Sequence, residues 1–287
     1  MPETNPGDLV EIKTIKETIQ GTLLESHEPG ILLLKLKSGY NIGIIKEDIA
    51  DIKLIKKAEE KSPKLPALKK DLPQVDIIMT GGTISSRLDY QTGAVKSLTK
   101  PEELLLFYPE ISEIANLQIK NPFMLSSENM TPKEWIKIAE VAHQSLNSLA
   151  QGVLVTHGTD TLHYTAAALS FFLQNLNKPV VLTYSQRSSD RASSDAHLNF
   201  ICSAKAALSN IAEVMLVGHA SSDDNACFAL KGAKVRKMHT SRRDAFKPVN
   251  AKPLAKITKE KIEILSTHAI RDNTKKVKLD ARFNEKT

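Results

Sequence analysis

The sequence predicts an α/β protein in two parts, a small β-barrel followed by a mostly parallel α/β domain. Three observations carry that reading. Residues 8–56 contain short apolar runs punctuated by Gly21, Gly30, Gly39 and Gly43, as several short strands at close spacing do. From residue 74 onward, strand-length apolar runs alternate with segments of helical period, and β-turn-α alternation builds a parallel sheet with right-handed crossovers. Between them, Pro63, Pro66 and Pro73 sit among Lys57, Lys61, Lys64, Lys69 and Lys70, the composition of a stiffened, solvated linker. The expected boundaries are 1–56, a linker at 57–73, an α/β domain at 74–250 and a basic segment at 251–287.

In the first part, Thr22-Leu-Leu and Ile31-Leu-Leu-Leu-Lys-Leu flank His27-Glu-Pro-Gly30, which reads as a hairpin turn. Tyr40-Asn-Ile-Gly-Ile-Ile follows Ser38-Gly39 as a further strand. The pattern is that of an SH3-like module. It carries no catalytic constellation, so its expected role is partner contact or packing.

The second part opens with Val75-Asp-Ile-Ile-Met79, a buried strand, and then Thr80-Gly-Gly-Thr-Ile-Ser85. Two glycines directly after a strand let the backbone turn sharply and approach a ligand. A phosphate-binding turn is the competing reading, yet neither the G-x-x-x-x-G-K-[ST] nor the G-x-G-x-x-G spacing occurs. Thr83 is left presented at a strand end. Tyr90 and Gly93 lie in a polar segment, 87–96, with the character of a lid. Glu102–Tyr108 is a short helix candidate after Pro101. Ser127 and Glu128 sit in a polar turn after a further strand, either touching a ligand or preceding a helix cap. That helix, 131–149, is strongly marked: Thr131 caps it, Pro132 suits the first turn and Glu134 completes a capping box. Trp135, Ile138, Ala142, Leu146 and Leu149 form its apolar stripe.

Val153-Leu-Val155 is the next buried strand, followed by Thr156-His-Gly-Thr-Asp-Thr161 and a helical pattern through Tyr164, Ala167, Ala168, Phe171 and Phe172. Thr159 and Asp160 fall where ligands bind in α/β sheets, at the carboxyl end of a strand facing a helix N-terminus. A helix cap is the plainer role for the same two residues. Pro179–Tyr184 and Glu213–Gly218 read as strands, Cys227–Leu230 as another, and 194–209 as a helix. Polar turns after successive parallel strands gather on one edge of a sheet, which favours the ligand reading.

Composition bounds the function. The chain has 287 residues with 41% hydrophobic and 25% charged side chains, a soluble, globular balance. No apolar run approaches the roughly 18 residues of a membrane span, and the N-terminus has no signal-peptide core. Cys202 and Cys227 are the two cysteines, too few for a disulfide framework or a zinc site, and a reducing cytoplasm is the expected location. The net charge of +6 is concentrated in residues 251–287, which hold ten Lys/Arg against five Asp/Glu. A basic stretch attracts nucleic acid or is simply a solvated surface.

Lys237, within Val235-Arg-Lys-Met-His-Thr240, completes a set. Thr80-Gly-Gly-Thr83, Thr156-His-Gly-Thr-Asp-Thr161 and Lys237, in this order, resemble the bacterial-type L-asparaginase/amidohydrolase family, and the two threonine motifs together are highly specific. Within that family the likeness is greatest to the D subunits of archaeal glutamyl-tRNA(Gln) amidotransferases. It runs through the N-terminal β-domain, Thr83–Gly93, Ser127–Pro132, Gln186–Asp190 and Arg236–Phe246, and covers essentially residues 8–287. The resemblance implies an asparaginase-type domain whose active site is Thr83, Thr159, Asp160 and Lys237. Ser127, Glu128 and Asp160 hold the substrate's α-carboxylate and α-amine, and Tyr90 closes over Thr83. A threonine hydroxyl attacks the glutamine side-chain amide, helped by a Thr–Lys–Asp relay, and either Thr83 or Thr159 can form the covalent bond. No cofactor is implied in this chain. The resemblance assigns ATP and Mg2+ to a partner, the amidotransferase's E subunit, which activates and amidates glutamate on Glu-tRNA(Gln). It also implies a homodimeric core within a heterotetramer.

Family members continue into a second α/β domain, near whose start this sequence stops at Phe283-Asn-Glu-Lys-Thr287. The expectation is therefore a chain without that domain, its dimer contacts and one wall of its pocket. Two other readings share these residues: a free-standing L-asparaginase, and an inactive truncated module that binds tRNA or a partner.

Overall fold

The computed structural model describes residues 4–5, 7–24, 30–36, 41–57, 69, 71–88, 95–97, 108–188 and 193–284. The chain forms two compact bodies, Met1–Ser62 with Leu88–Lys96, and Pro63–Arg87 with Ser97–Thr287.

In the first body, β1 (Leu9–Thr14), β2 (Thr18–Leu24), β3 (Ile31–Lys35), β4 (Asn41–Ile45) and β5 (Ile49–Lys56) form one antiparallel sheet in the order β4-β3-β2-β1-β5. Alternate residues supply its core: Val10 and Ile12 from β1, Leu34 from β3, Ile44 from β4 and Ile52 from β5. That is the period-two pattern of a sheet wet on one face. Register shifts between Leu9 and Val10 and between Lys13 and Thr14 interrupt the β1–β5 ladder, and such irregularities bend and twist a strand. The sequence reading expected a small, SH3-like β-barrel. Among the described residues no pairing joins β4 to β5, so the element is a five-stranded antiparallel sheet. The turn at His27–Pro29 and most of the linker, 58–68 and 70, lie outside the described residues.

The second body is built on β6 (Gln74–Met79), β9 (Asn116–Lys120), β10 (Val153–Thr156), β12 (Val180–Thr183), β13 (Val214–His219), β14 (Cys227–Lys231), β17 (Ala255–Ile257) and β18 (Ile262–Ile264). Their order is β18-β17-β14-β13-β12-β10-β6-β9. The β9–β6, β6–β10, β10–β12 and β12–β13 pairs are parallel, as the alternation predicts. β14, β17 and β18 add antiparallel at the far edge, because the connection 220–226 is too short for a crossover helix. Short strands lie outside this sheet: β7 (Ser86–Leu88), β8 (Val95–Ser97), and β11 (Leu173–Gln174) paired antiparallel with β19 (Lys278–Leu279). The sequence reading closed this body at residue 250. Burial of Leu254, Ala255 and Ile257 instead draws the start of the basic segment into the sheet edge.

Helices cover both faces. α1 (Pro132–Leu146) and α2 (Leu162–Phe172) pack on the face that carries Ile78, Val153, Val155, Val180 and Leu182. α3 (Ala196–Ala207) packs on the opposite face, over Ile77, Met79, Leu154, Val181 and Met215. Both faces of these strands are dry, which is why they read as unbroken apolar runs. The capping box at Thr131 and Glu134 forms as the sequence predicts. Leu149, however, lies beyond the helix end and is 83% exposed, so the apolar stripe stops at Leu146. Of the 102–108 helix candidate, only Tyr108 lies within the described residues; it leads into a 3-10 turn at Pro109–Glu113.

An ion pair with a buried carboxylate ties β6, β9 and α1 together. Asp76, 1% exposed, meets Lys120 Nζ at 2.9 Å, and Lys120 also donates to Ser145 Oγ at 2.9 Å. The chain leaves β6 toward β9 on one side and later leaves β10 toward β12 on the other. Adjacent strands whose connections diverge in this way open a crevice at their carboxyl ends, the usual ligand position in such sheets.

Candidate active site

The register places Met79 of β6 opposite Thr156 of β10, so the two threonine motifs begin side by side. Thr80 seals the first turn: its hydroxyl donates to Thr156 O at 2.8 Å, and its N–H donates to the same oxygen at 3.2 Å. Gly81 and Gly82 then take φ values of +117° and +84°, a region that costs other residues strain. Space forbids a side chain as well. A Cβ on Gly82 would stand 2.5 Å from Gly158 N and 2.6 Å from His157 O. The backbone of one motif thus rests directly on the backbone of the other.

Thr83 opens a 3-10 turn, Thr83–Ser85, and is half-buried. Its two successors are fully buried anchors. Ser85 Oγ donates to Thr156 Oγ1 at 2.7 Å, and Ile84 O accepts from Tyr108 Oη at 3.2 Å. Beyond them the chain runs into β7, toward the segment read as a lid. Tyr90 and the rest of that segment's tip lie outside the described residues.

The second motif is braced from inside by His157. Its Nδ1 lies 2.7 Å from Gly158 O and its Nε2 lies 2.8 Å from Thr165 Oγ1, which fits a neutral ring donating at Nδ1 and accepting at Nε2. Burial lowers its pKa to about 4, against a small upward pull from the Gly158 carbonyl. Ser127 braces the turn from the side. Its Oγ accepts the Asp160 N–H at 3.2 Å, and its carbonyl accepts the Thr161 hydroxyl at 2.7 Å. Neither Thr159 nor Asp160 caps α2. The N-cap position belongs to Thr161, whose side chain makes no cap bond. That removes the capping role the sequence left open for the pair; Thr159 is half-buried and Asp160 exposed.

Lys237 arrives from far along the chain. It ends β15 (Val235–Lys237), which pairs antiparallel with β16 (Phe246–Pro248), Lys237 opposite Phe246. Its Nζ stands 2.8 Å from Thr159 Oγ1 and 2.8 Å from Asp160 Oδ1. The lysine side chain is 12% exposed and the aspartate 61% exposed, so the pair is buried at its amine and open at its carboxylate. His163 stands beside them, its pKa pushed down by burial and by the positive Arg236 and Lys237. An amine held between a hydroxyl and a carboxylate can move a proton to or from that hydroxyl.

Of the residues the sequence singled out, Thr159, Asp160, Lys237 and Ser127 are joined by direct hydrogen bonds, and Thr83 directly follows Gly82, whose backbone rests on His157 and Gly158. Glu128 shares the 3-10 turn Ser127–Asn129 and is exposed. Sequence reasoning gave no part to His157, although its place between a buried strand and the glycine that Gly82 touches marks it. Among the described residues, no group of three or more His, Cys, Asp or Glu side chains is placed to hold a metal ion. None of the described helices is long and apolar enough to cross a membrane.

Residues 74–270 match the family described as asparaginase, N-terminal, and residues 4–55 match the GatD N-terminal domain. Over 98% of its length the chain is 48% identical to the D subunit of glutamyl-tRNA(Gln) amidotransferase from Pyrococcus abyssi, of which it covers 67%. The chain belongs to the family of amidotransferase D subunits. The protein of that name from Pyrococcus furiosus is 50% identical over 98% of this chain and 67% of its own length. In fold, the thermostable L-asparaginase from Thermococcus kodakarensis matches with a TM-score of 0.64 and 26% identity, over 72% of this chain and 60% of that one. This chain therefore spans about two thirds of the curated relatives it matches, and the β-sheet module followed by an asparaginase-type α/β domain lies within it.

Proposed function

We propose that this chain is the glutaminase component of a tRNA-dependent amidotransferase, cleaving the side-chain amide of glutamine to supply ammonia. One observation carries the reading: the Lys237 amine lies within hydrogen-bond reach of both Thr159 and Asp160. In the forward step, a threonine Oγ attacks the amide carbon while its hydroxyl proton passes into the Thr–Lys237–Asp160 relay, directly or through the second threonine. The C–N bond breaks, the proton passes to the leaving nitrogen and ammonia departs. Water then cleaves the acyl ester to glutamate by the reverse proton path. Thr83 is the preferred nucleophile, with Thr159 as the alternative. Backbone N–H groups of the glycine turns stabilise the oxyanion. Ser127, Glu128 and Asp160 bind the substrate's α-groups, and Tyr90 closes the site.

The reading extends to partners. The E subunit of the amidotransferase, using ATP and Mg2+, activates the glutamate of Glu-tRNA(Gln) and receives the ammonia, so this chain requires no cofactor of its own. The assembly is a homodimer of D subunits within a heterotetramer, located in the cytoplasm. The D-subunit relatives and the GatD N-terminal match support this reading.

Ammonia release from glutamine and from asparagine, with and without the partner and Glu-tRNA(Gln), tests it. Glutamine turnover that rises with the partner and tRNA is expected, together with its loss in Thr83→Ala. Equal asparagine turnover by the isolated chain, unmoved by tRNA, would replace this reading with a free-standing asparaginase. Mass mapping of a trapped acyl-enzyme decides between Thr83 and Thr159.

A further inference from the structure

Lys237 is held by a hairpin whose outer loop, 238–245, carries the arginine pair Arg242-Arg243. The loop braces itself: Met238 N–H donates to Ala245 O at 2.8 Å, and the backbone N–H groups of Ser241 and Arg242 share His239 Nδ1 at 3.1 Å. Its attachment to the sheet is more specific. Tyr184, fully buried past the end of β12, sends its hydroxyl to Arg243 O at 2.6 Å. Room for that ring exists only because residue 218 is glycine, where a Cβ would stand 2.3 Å from Tyr184 Cε1. Gln186 Nε2 donates to the neighbouring Arg242 O at 3.1 Å.

The Arg243 side chain closes the circuit from the other direction. Its guanidinium donates to Asp224 Oδ2 at 2.8 Å, to Ser222 O at 3.2 Å and to Ser193 O at 2.5 Å. Asp224 Oδ1 lies 2.9 Å from His219 Nε2, and His219 Nδ1 lies 2.6 Å from Asn199 Oδ1. Asn199 Nδ2 donates to Tyr184 O at 2.9 Å, which returns the path to its start. Tyr184, Asn199, His219, Asp224 and Arg243 form a ring of hydrogen bonds spanning the ends of β12 and β13, α3 and the Lys237 hairpin. Asn199, His219 and Tyr184 are all buried.

We propose that this ring is a positioning device for Lys237, in which Tyr184 and Arg243 grip the hairpin loop and Asp224 holds Arg243, so that the amine stays on Thr159 and Asp160. The inference rests on the glutaminase reading for its catalytic consequence. A reacting group displaced by about 1 Å can cost two orders of magnitude in rate. A single attachment point leaves a hairpin tip free to swing; two attachments, to Tyr184 after β12 and to Asp224 in the β13–β14 connection, fix it.

Tyr184→Phe keeps the ring but removes its hydrogen bond, and Asp224→Asn removes the carboxylate from Arg243. Arg243→Lys retains one ion pair and loses the bonds to Ser222 O and Ser193 O. In the full chain, each is expected to lower kcat for glutamine about tenfold or more with KM within about twofold, Arg243→Lys least. Backbone hydrogen exchange at Met238 is expected to speed up by about tenfold, with β6 and β10 unchanged. Wild-type kcat in all three variants would overturn the proposal, whatever the exchange rates. So would exchange that rises equally across the sheet, because the residues would then be serving general stability. If the intact wild-type chain and its complex release no ammonia, the glutaminase reading falls. The ring is then judged on Met238 exchange alone, and unchanged protection overturns it.

Discussion

Lys237 Nζ stands 2.8 Å from Thr159 Oγ1 across 78 positions of sequence. Three features of the fold make the contact. Thr159 is fixed by a buried strand and by His157 beneath it, Asp160 by its backbone bond to Ser127, and Lys237 by the β15–β16 pairing. A long, flexible lysine has much rotamer freedom to lose on ordering. Here that loss is offset by two polar partners and by side-chain burial to 12% exposure.

Removal of the amine should therefore be catalytic in effect rather than structural. Lys237→Ala is expected to lower kcat for glutamine by about 10²–10⁴-fold, with a melting temperature close to wild type. Lys237→Arg should not rescue it, because a guanidinium cannot deprotonate to act as a base. Steady-state ammonia release beside a thermal melt checks both; more than a tenth of wild-type turnover in either variant counts against the relay.

Gly82→Ala tests the backbone contact between the two motifs. The residue has φ +84°, and an added Cβ would stand within 2.6 Å of His157 and Gly158 backbone atoms. Strain and collision together should cost about 2 kcal/mol or more and should separate Thr83 from Thr159. Urea unfolding reads the first effect and glutamine turnover the second. A variant as stable and active as wild type would mean that the turn relaxes freely.

His157 gives the stability a pH dependence of known sign. Its pKa of about 4 in the folded chain lies below the ordinary 6.5 because burial disfavours the imidazolium. The unfolded state therefore binds more protons between those values, so stability is complete above about pH 6.5 and is lost as pH falls toward about 4. The full loss amounts to about 3 kcal/mol. Unfolding free energies measured from pH 7 to pH 4 should show a shallower fall in His157→Gln than in wild type. Parallel curves would assign the acid sensitivity elsewhere.

The Asp76–Lys120 pair sets a buried carboxylate against a part-exposed lysine. Asp76→Ala leaves the Lys120 ammonium without its 2.9 Å partner and is expected to cost about 2–3 kcal/mol. Adding Lys120→Met should recover much of that loss. Chemical unfolding of the two single variants and the double variant measures the coupling; strict additivity would show the pair to be independent charges.

The parallel β-turn-α core was legible in the residues alone, because Val75–Met79, Val153–Val155 and Pro179–Tyr184 need apolar side chains on both faces. So was the start of α1, since the Thr131–Glu134 capping box is a local bond pattern, and so was the identity of the threonine and lysine motifs. Local pattern reached less far at element ends and edges. The described pairings of residues 9–56 give an antiparallel sheet, and Leu149 faces solvent once the helix has ended. Leu254–Ile257 joins the sheet because burying apolar side chains outweighs the charge around them. Two matters waited on the assembled fold: that Thr159 and Asp160 do not cap α2, and that Arg243 closes a ring through Asp224, His219 and Asn199 to Tyr184. Hydrogen bonds between residues so far apart in sequence leave no periodicity for a local reading to find; they exist only after the sheet has brought the strand ends together.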